Sequence, residues 1–375
     1  MFKKLISGIA LLACTLIAMP SLAEKINITD LAGRTVKVEH GAKRIILGEG
    51  RQLYIIAALD RENPFKHIVG WRDDLIQYDP DTYALYNKKF PEASTIKTLG
   101  NPYSSEIDIE AVISLKPDVV VFPLDKLKTT RETGVTDKLG KLNIPVVYID
   151  FRTDPTVNTI PTIRLFGQIL NQEDRARELI DFYQHYMTMI KERTTAQKDS
   201  ERPLVFIEKA AGLDPNASGN TFGPANLGQL IEVAGGRNLG SEKLTGYSGK
   251  LSPEEIFAAQ PQHIIMTGVK WDQAFPDSMA IPYGYDATAQ NIQGRMQGLV
   301  KRPGWSSLRA VQSKQVHGIY HQFYKSPYNF IATLQFAKWF YPEAFKDVDT
   351  TAVYKEFHKK FLPIDYSGYF WSTLN

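Results

Sequence analysis

The stretch from Asp108 to Val120 reads DIEAVISLKPDVV, and the stretch from Ser252 to Ile264 reads SPEEIFAAQPQHI. They lie 144 residues apart and share one chemical pattern. Each opens on a residue whose side-chain oxygen accepts the orphan N–H groups of a first helical turn. Each then carries Glu at the third position and an aliphatic residue at the fifth. Ser252 with Glu255 forms a capping box, and Pro253 takes the first helical position, where its missing N–H costs nothing. Pro117 and Pro261 stop the helix, and the apolar residues after them read as a buried strand. A helix-then-strand unit repeated at this distance exceeds any solenoid period. It predicts two similar α/β lobes.

Working outward, short apolar runs recur on both sides of the chain's middle. They are Arg44 to Gly48, His67 to Gly70, Val119 to Phe122 and Pro145 to Ile149, then Pro203 to Ile207, His263 to Met266 and Gln315 to Tyr320. Runs that are apolar on both faces fit parallel strands covered by helices. Ile26, Ile28, Val36 and Val38 alternate around Asp30 to Gly33 and predict a hairpin. Residues 155–197 read as helical throughout. Ala176, Leu179, Ile180, Tyr183, Met187 and Ile190 form one apolar face, and Asn171 is placed to cap it. The expected organisation is a signal peptide over 1–23, an N-terminal α/β lobe over 24–154, an interlobe helical segment over 155–200 and a C-terminal α/β lobe over 201–375. The fold class is α/β: two lobes, each a mainly parallel sheet with flanking helices, joined by one long interlobe helix.

The first 23 residues carry an address. Lys3 and Lys4 precede an apolar run from Leu5 to Met19, and Ser21-Leu22-Ala23 supplies the small residues read at cleavage. A secretory signal peptide cut after Ala23 places the mature chain in the periplasm. Cys14, the only cysteine, lies in that segment. The mature chain therefore has no disulfide, no Cys-ligated metal and no thiol nucleophile. Apolar residues at 43% and charged residues at 23% exclude a disordered chain. No other run approaches the length a membrane span needs. A net charge of +3 without a basic run argues against nucleic acid as a partner. His40, His67, His185, His263, His317, His321 and His358 show no metal-binding spacing, so no metal site is expected. The nucleophile-elbow, Walker and dinucleotide fingerprints are all missing, so no enzymatic activity is expected.

In parallel α/β sheets ligands bind beyond the carboxyl ends of the strands. Those ends bring forward Arg51, then Trp71 and Arg72, with Tyr103 ahead of the Glu110 helix. In the second half they bring forward Lys209, Tyr247 ahead of the Glu254 helix, Lys270 with Trp271, and Phe323 with Tyr324. Forked guanidinium donors and ammonium groups among aromatic rings suit an anionic, partly aromatic or chelated ligand.

At this point the sequence resembles the periplasmic binding proteins of ABC importers for iron–siderophore complexes, haem and cobalamin. The resemblance runs from Ile28 to Phe345. It is carried by Ile28 to Arg34, by Ala42 to Ile46, and by Ile109-Glu110 through Leu115-Lys116-Pro117-Asp118-Val119-Val120. It continues in Ala234-Gly235-Gly236-Arg237-Asn238, and in Pro303-Gly304-Trp305 with Leu308-Arg309-Ala310-Val311 and Gln315-Val316. It implies a ligand held between two lobes, modest closure, and Glu110 and Glu254 as the carboxylates that dock on a permease dimer. The expected function is capture of a ferric siderophore in the interlobe cleft and delivery to an inner-membrane ABC permease with its ATPase subunits. Haem, cobalamin or another metal chelate is the alternative cargo, with Tyr103 or Tyr247 as the candidate ligand to a haem iron. Outside the binding class the alternative is a secreted two-lobe enzyme. The protein is expected to be a monomer without a resident cofactor, the iron belonging to the cargo. The segments from Trp71 to Tyr103 and from Val269 to Trp305 are long for the family and are expected near the cleft.

Overall fold

The computed structural model describes residues 24–103, 108–195, 199–215 and 217–375. The expected signal peptide lies outside the described residues. The chain opens with an antiparallel hairpin, β1 (Lys25–Thr29) and β2 (Thr35–Glu39), as the alternation around Asp30 predicts.

The N-terminal sheet contains β3 (Ile45–Leu47), β4 (Ile68–Trp71), β5 (Lys97–Thr98), β6 (Val119–Pro123) and β7 (Val146–Ile149). Its order is β5-β4-β3-β6-β7, and every pairing is parallel. Both faces are covered. Val119, Val121 and Val147 enter one apolar core, while Val120, Phe122, Val146 and Tyr148 enter a second on the opposite face. This two-sided burial explains why the strands read as unbroken apolar runs.

The C-terminal sheet contains β8 (Leu204–Glu208), β9 (Asn220–Phe222), β10 (Arg237–Asn238), β11 (Ser248–Lys250), β12 (His263–Gly268), β13 (Val316–Tyr320) and β14 (Trp371–Thr373). Its main path is β11-β9-β8-β12-β13-β14, with β10 also on β8. The centre is parallel, whereas β9 and β14 pair antiparallel with β8 and β13. The internal repeat holds at the residue level. Helices Ile109–Ser114 and Pro253–Ala259 start 144 residues apart, and so do β6 and β12. Asp108 caps the first helix through the Ala111 amide, and Ser252 with Glu255 closes the capping box of the second.

The connection between the lobes corrects one expectation. It is two helices, Pro155–Leu170 and Glu173–Thr194, rather than one. Asn171 does not cap the second helix. It ends the first in the left-handed conformation, φ 54° and ψ 49°, which Asn tolerates better than most residues. Gly167 lets the two helices approach, since a Cβ there would meet the Ala176 Cβ at 2.7 Å. One buried apolar cluster runs from the N-terminal sheet through both helices into the C-terminal sheet.

The two long segments meet across the lobes. Residues 72–103 carry helices Asp74–Tyr78 and Pro80–Lys89, and residues 269–305 carry helix Ala289–Leu299. The Tyr285 amide donates to Asp81 Oδ2 at 2.6 Å, and Tyr78 stacks on Phe275 with centroids 6.5 Å apart. Tyr320 donates its hydroxyl to Asp79 Oδ2 at 2.6 Å, and Gln322 Nε2 donates to the Tyr78 carbonyl at 2.6 Å. Together they strap one flank of the cleft. Among the described residues, no helix is long and apolar enough to cross a membrane.

Candidate ligand-binding cleft

In the N-terminal sheet the strand order reverses between β3 and β6, and a central strand pair, β8 and β12, holds the same place in the C-terminal sheet. Such switch points open a crevice beyond the strand ends. Gly48 and Gly50 let neighbouring segments approach the chain closely there. A Cβ on Gly48 would lie 2.3 Å from the Phe122 ring, and one on Gly50 would lie 2.5 Å from the Arg72 carbonyl oxygen.

Between those glycines and after them stand Glu49 and Arg51, both buried. Arg51 Nε donates to Asp74 Oδ2 at 2.6 Å. Its Nη1 reaches across to the other lobe, donating to Gln322 Oε1 at 2.9 Å and to the Tyr324 hydroxyl at 3.2 Å. Glu49 accepts from Arg152 Nη1 at 3.2 Å and from Lys325 Nζ at 2.9 Å. Arg152 also pairs with Asp125. Cations at the rim lie over rings. The Arg72 guanidinium is 5.7 Å from the Tyr103 centroid, and Lys126 Nζ is 5.5 Å from the same ring. Opposite them, Lys209 Nζ lies 5.5 Å from Phe222 and 5.8 Å from Tyr247. Lys209 donates to the Ser248 hydroxyl at 3.3 Å and has no carboxylate partner among the described residues.

Burial and the positive charge of Arg152 push both Lys209 and Lys325 below the ordinary lysine value, with Arg51 adding to the effect on Lys325. Burial alone would raise the Tyr324 phenol, yet Arg51, Lys325 and Arg152 bring it below its ordinary value. Burial would likewise raise Glu49, but Arg152, Lys325 and Arg51 hold its carboxyl well below the usual range. Burial lowers His321, and Lys209, Arg51 and Lys325 lower it further. Burial leads the shifts of the lysines and of His321, and it raises the phenols of Tyr103 and Tyr247. The field of the cations shows at Glu49 and Tyr324, where Arg51, Arg152 and Lys325 overcome burial.

Of the residues expected from sequence, the structure brings Arg51, Arg72, Tyr103, Lys209, Tyr247 and Tyr324 together here. It does not bring the others. Trp71 is buried in the N-terminal core, edge-on to Phe65 at 6.0 Å. Phe323 is buried in the C-terminal core among Tyr320, Tyr354 and Phe370. Lys270 pairs with Asp286 and lines a separate pocket with Asp272 and Arg295. Trp271 is also buried, 5.0 Å from the His321 ring, which in turn lies 4.7 Å from Tyr324. Sequence reasoning missed Arg152, Lys325 and the role of Glu49. Arg152 follows β7 by three residues, so the strand-end rule applied to that strand would have found it. Lys325 follows Tyr324 directly, and its ammonium lies 5.3 Å from that ring.

Glu110 and Glu254 are exposed at equivalent places in the first turns of the two repeated helices. Their neighbours Asp108, Ser252 and Glu255 are engaged in capping, whereas these two carboxylates make no hydrogen bond among the described residues. The histidine pair His263 and His317, 3.1 Å apart, starts on β12 and β13 at the end of the sheet opposite the cleft. Among the described residues, no group of three or more His, Cys, Asp or Glu side chains is placed to hold a metal ion.

A family model described as periplasmic binding protein matches residues 75–322. This chain belongs to that family. The crystal structure of a TroA-like periplasmic binding protein, FepB from Veillonella parvula, is 31% identical, with a TM-score of 0.83 over 93% of this chain and 100% of that one. A cobalamin-binding protein of Halobacterium salinarum is 30% identical over 186 residues. That match covers 49% of this chain and 46% of the relative, so this periplasmic binding protein spans about half the length of that protein. The molybdate-binding protein MolA of Haemophilus influenzae is 22% identical over 95% of this chain and 96% of its own. These relatives are solute-binding proteins and not enzymes, and MolA is described as the cognate binding protein of an ABC transporter.

Proposed function

We propose that this periplasmic binding protein captures an anionic metal chelate, a ferric siderophore, in the interlobe cleft and hands it to the permease of an ABC importer in the inner membrane. The observation that carries this reading is the convergence of four cations, Arg51, Arg152, Lys209 and Lys325, on one crevice, where Lys209 has no carboxylate partner among the described residues and the rings of Tyr103, Tyr247 and Tyr324 form the rim. Guanidinium forks match the anionic oxygens of a catecholate or carboxylate chelate, and rings over cations supply apolar contact. The relative named for cobalamin supports a chelated-metal cargo. Haem and cobalamin fit the same reading with a different cargo. A compact oxyanion is the second reading, favoured by a small cavity at the cleft floor between Arg51, Arg152 and Lys325.

The test is a tryptophan-fluorescence titration of the mature protein with ferric catecholate, hydroxamate and carboxylate siderophores, haem, cobalamin and molybdate. Trp271 reports through its contact with His321. Saturable quenching by one siderophore class supports the reading. A response to haem or cobalamin alone changes the cargo, a response to molybdate alone favours the oxyanion, and chemical turnover of any titrant contradicts the carrier role.

A further inference from the structure

Glu49 is an odd residue to find in a site built for anions. Its carboxylate is buried and lines the small cavity at the cleft floor together with Arg51, Gln52, Phe151, Arg152 and Lys325. It accepts from Arg152 of its own lobe at 3.2 Å and from Lys325 of the other lobe at 2.9 Å. Arg51 and Arg152 have further anionic partners in Asp74 and Asp125. Lys325 has no other carboxylate within ion-pair distance among the described residues. A third feature points to an anion in the same place. Gln52 lines this cavity, and its buried Nε2 has no hydrogen-bond partner, a donor left without an acceptor.

We propose that Glu49 is an internal stand-in for the cargo's anion, filling the seat between Arg152 and Lys325 that the cargo's oxygens take, and that cargo binding displaces it from Lys325. The inference rests on the reading of this cleft as an anion site. In the empty protein Glu49 keeps the buried cations paired, since an unpaired buried charge is strongly unfavourable. It therefore sets a threshold. A ligand must offer the cations more than one carboxylate does, which favours ligands with several anionic oxygens over simple monoanions. Glu49 is thus a specificity-determining residue.

The test uses molybdate, a tetrahedral dianion, in calorimetric titrations of the whole mature chain. Glu49→Gln keeps the side-chain shape and removes the charge. It is expected to bind molybdate at least about tenfold more tightly than the unaltered protein, one ion per chain. Adding Lys325→Gln to Glu49→Gln is expected to abolish that gain. A purely structural role for Glu49 would weaken binding or leave it unchanged, and either result overturns the proposal. A gain that survives Lys325→Gln overturns it as well. Should Glu49→Gln not fold, Glu49→Asp draws the carboxylate back by one methylene and is expected to give a smaller gain; no gain there overturns the proposal. Because the probe is inorganic, failure of every siderophore to bind the unaltered protein would count against the cargo reading and leave these titrations interpretable.

Discussion

At the residue scale, the cleft is a balance of buried charges in which each partner needs the other. Arg152 holds Glu49 and Asp125 at once. Arg152→Ala leaves a buried carboxylate short of a partner and is expected to lower stability by about 3 kcal/mol, read as a shift in the urea midpoint without a change in slope. Two histidines make stability depend on pH. Burial lowers His263 and His358 to about 4 in the fold, from the ordinary 6.5. The unfolded chain takes up these protons as pH falls through about 6.5, whereas the folded chain does so only near 4. Their contribution, on the order of 3 kcal/mol each, is therefore fully present above pH 6.5 and lost as pH falls to about 4. Urea denaturation from pH 7.5 to 4 checks this, and His263→Phe is expected to flatten the slope. The same scale explains what the sequence could not disclose. Position after a strand places Trp71 and Phe323 as well as Arg51 near the cleft, but which way a side chain turns depends on neighbours far along the chain. Phe65 and Tyr354 take the two aromatic residues inward, whereas Asp74 and Gln322 hold Arg51 in the crevice.

At the element scale, the 144-residue echo was legible because its signals are local. A cap, a proline stop and a buried strand each act within a few residues, and both copies start where those signals put them. The helical connection was legible as helix but not as two helices, because the break is only two residues long, Asn171 ending the first helix and Gln172 standing before the second. The two repeated helices carry Glu110 and Glu254 at matching, exposed positions, one on each lobe. Paired carboxylates on a two-lobed body suit a two-fold partner. Glu110→Ala with Glu254→Ala is expected to abolish cargo uptake by cells while leaving affinity for the cargo within about twofold, since both residues are exposed and neither is bonded to a cleft residue among the described residues. Lost affinity, or uptake at the normal rate, would contradict the docking role proposed for this pair.

At the scale of the whole molecule, one apolar cluster joins the two sheets through the connecting helices, and the segments 72–103 and 269–305 strap one flank of the cleft. Their length was visible in the sequence. Their meeting was not, because Asp81 and Tyr285 are 204 residues apart. A continuous core and a strap leave little freedom for hinge closure. Cargo binding is expected to change the radius of gyration in solution scattering by less than about 1 Å. The central claim is that the cations of this cleft hold the cargo, and calorimetric titration of a ferric siderophore panel into the unaltered protein and into Lys325→Gln tests it most directly. The account predicts saturable one-to-one binding of one siderophore class, weakened at least about tenfold in the variant. Binding of that class with equal affinity by both proteins, or no binding of any class by the unaltered protein, would contradict it.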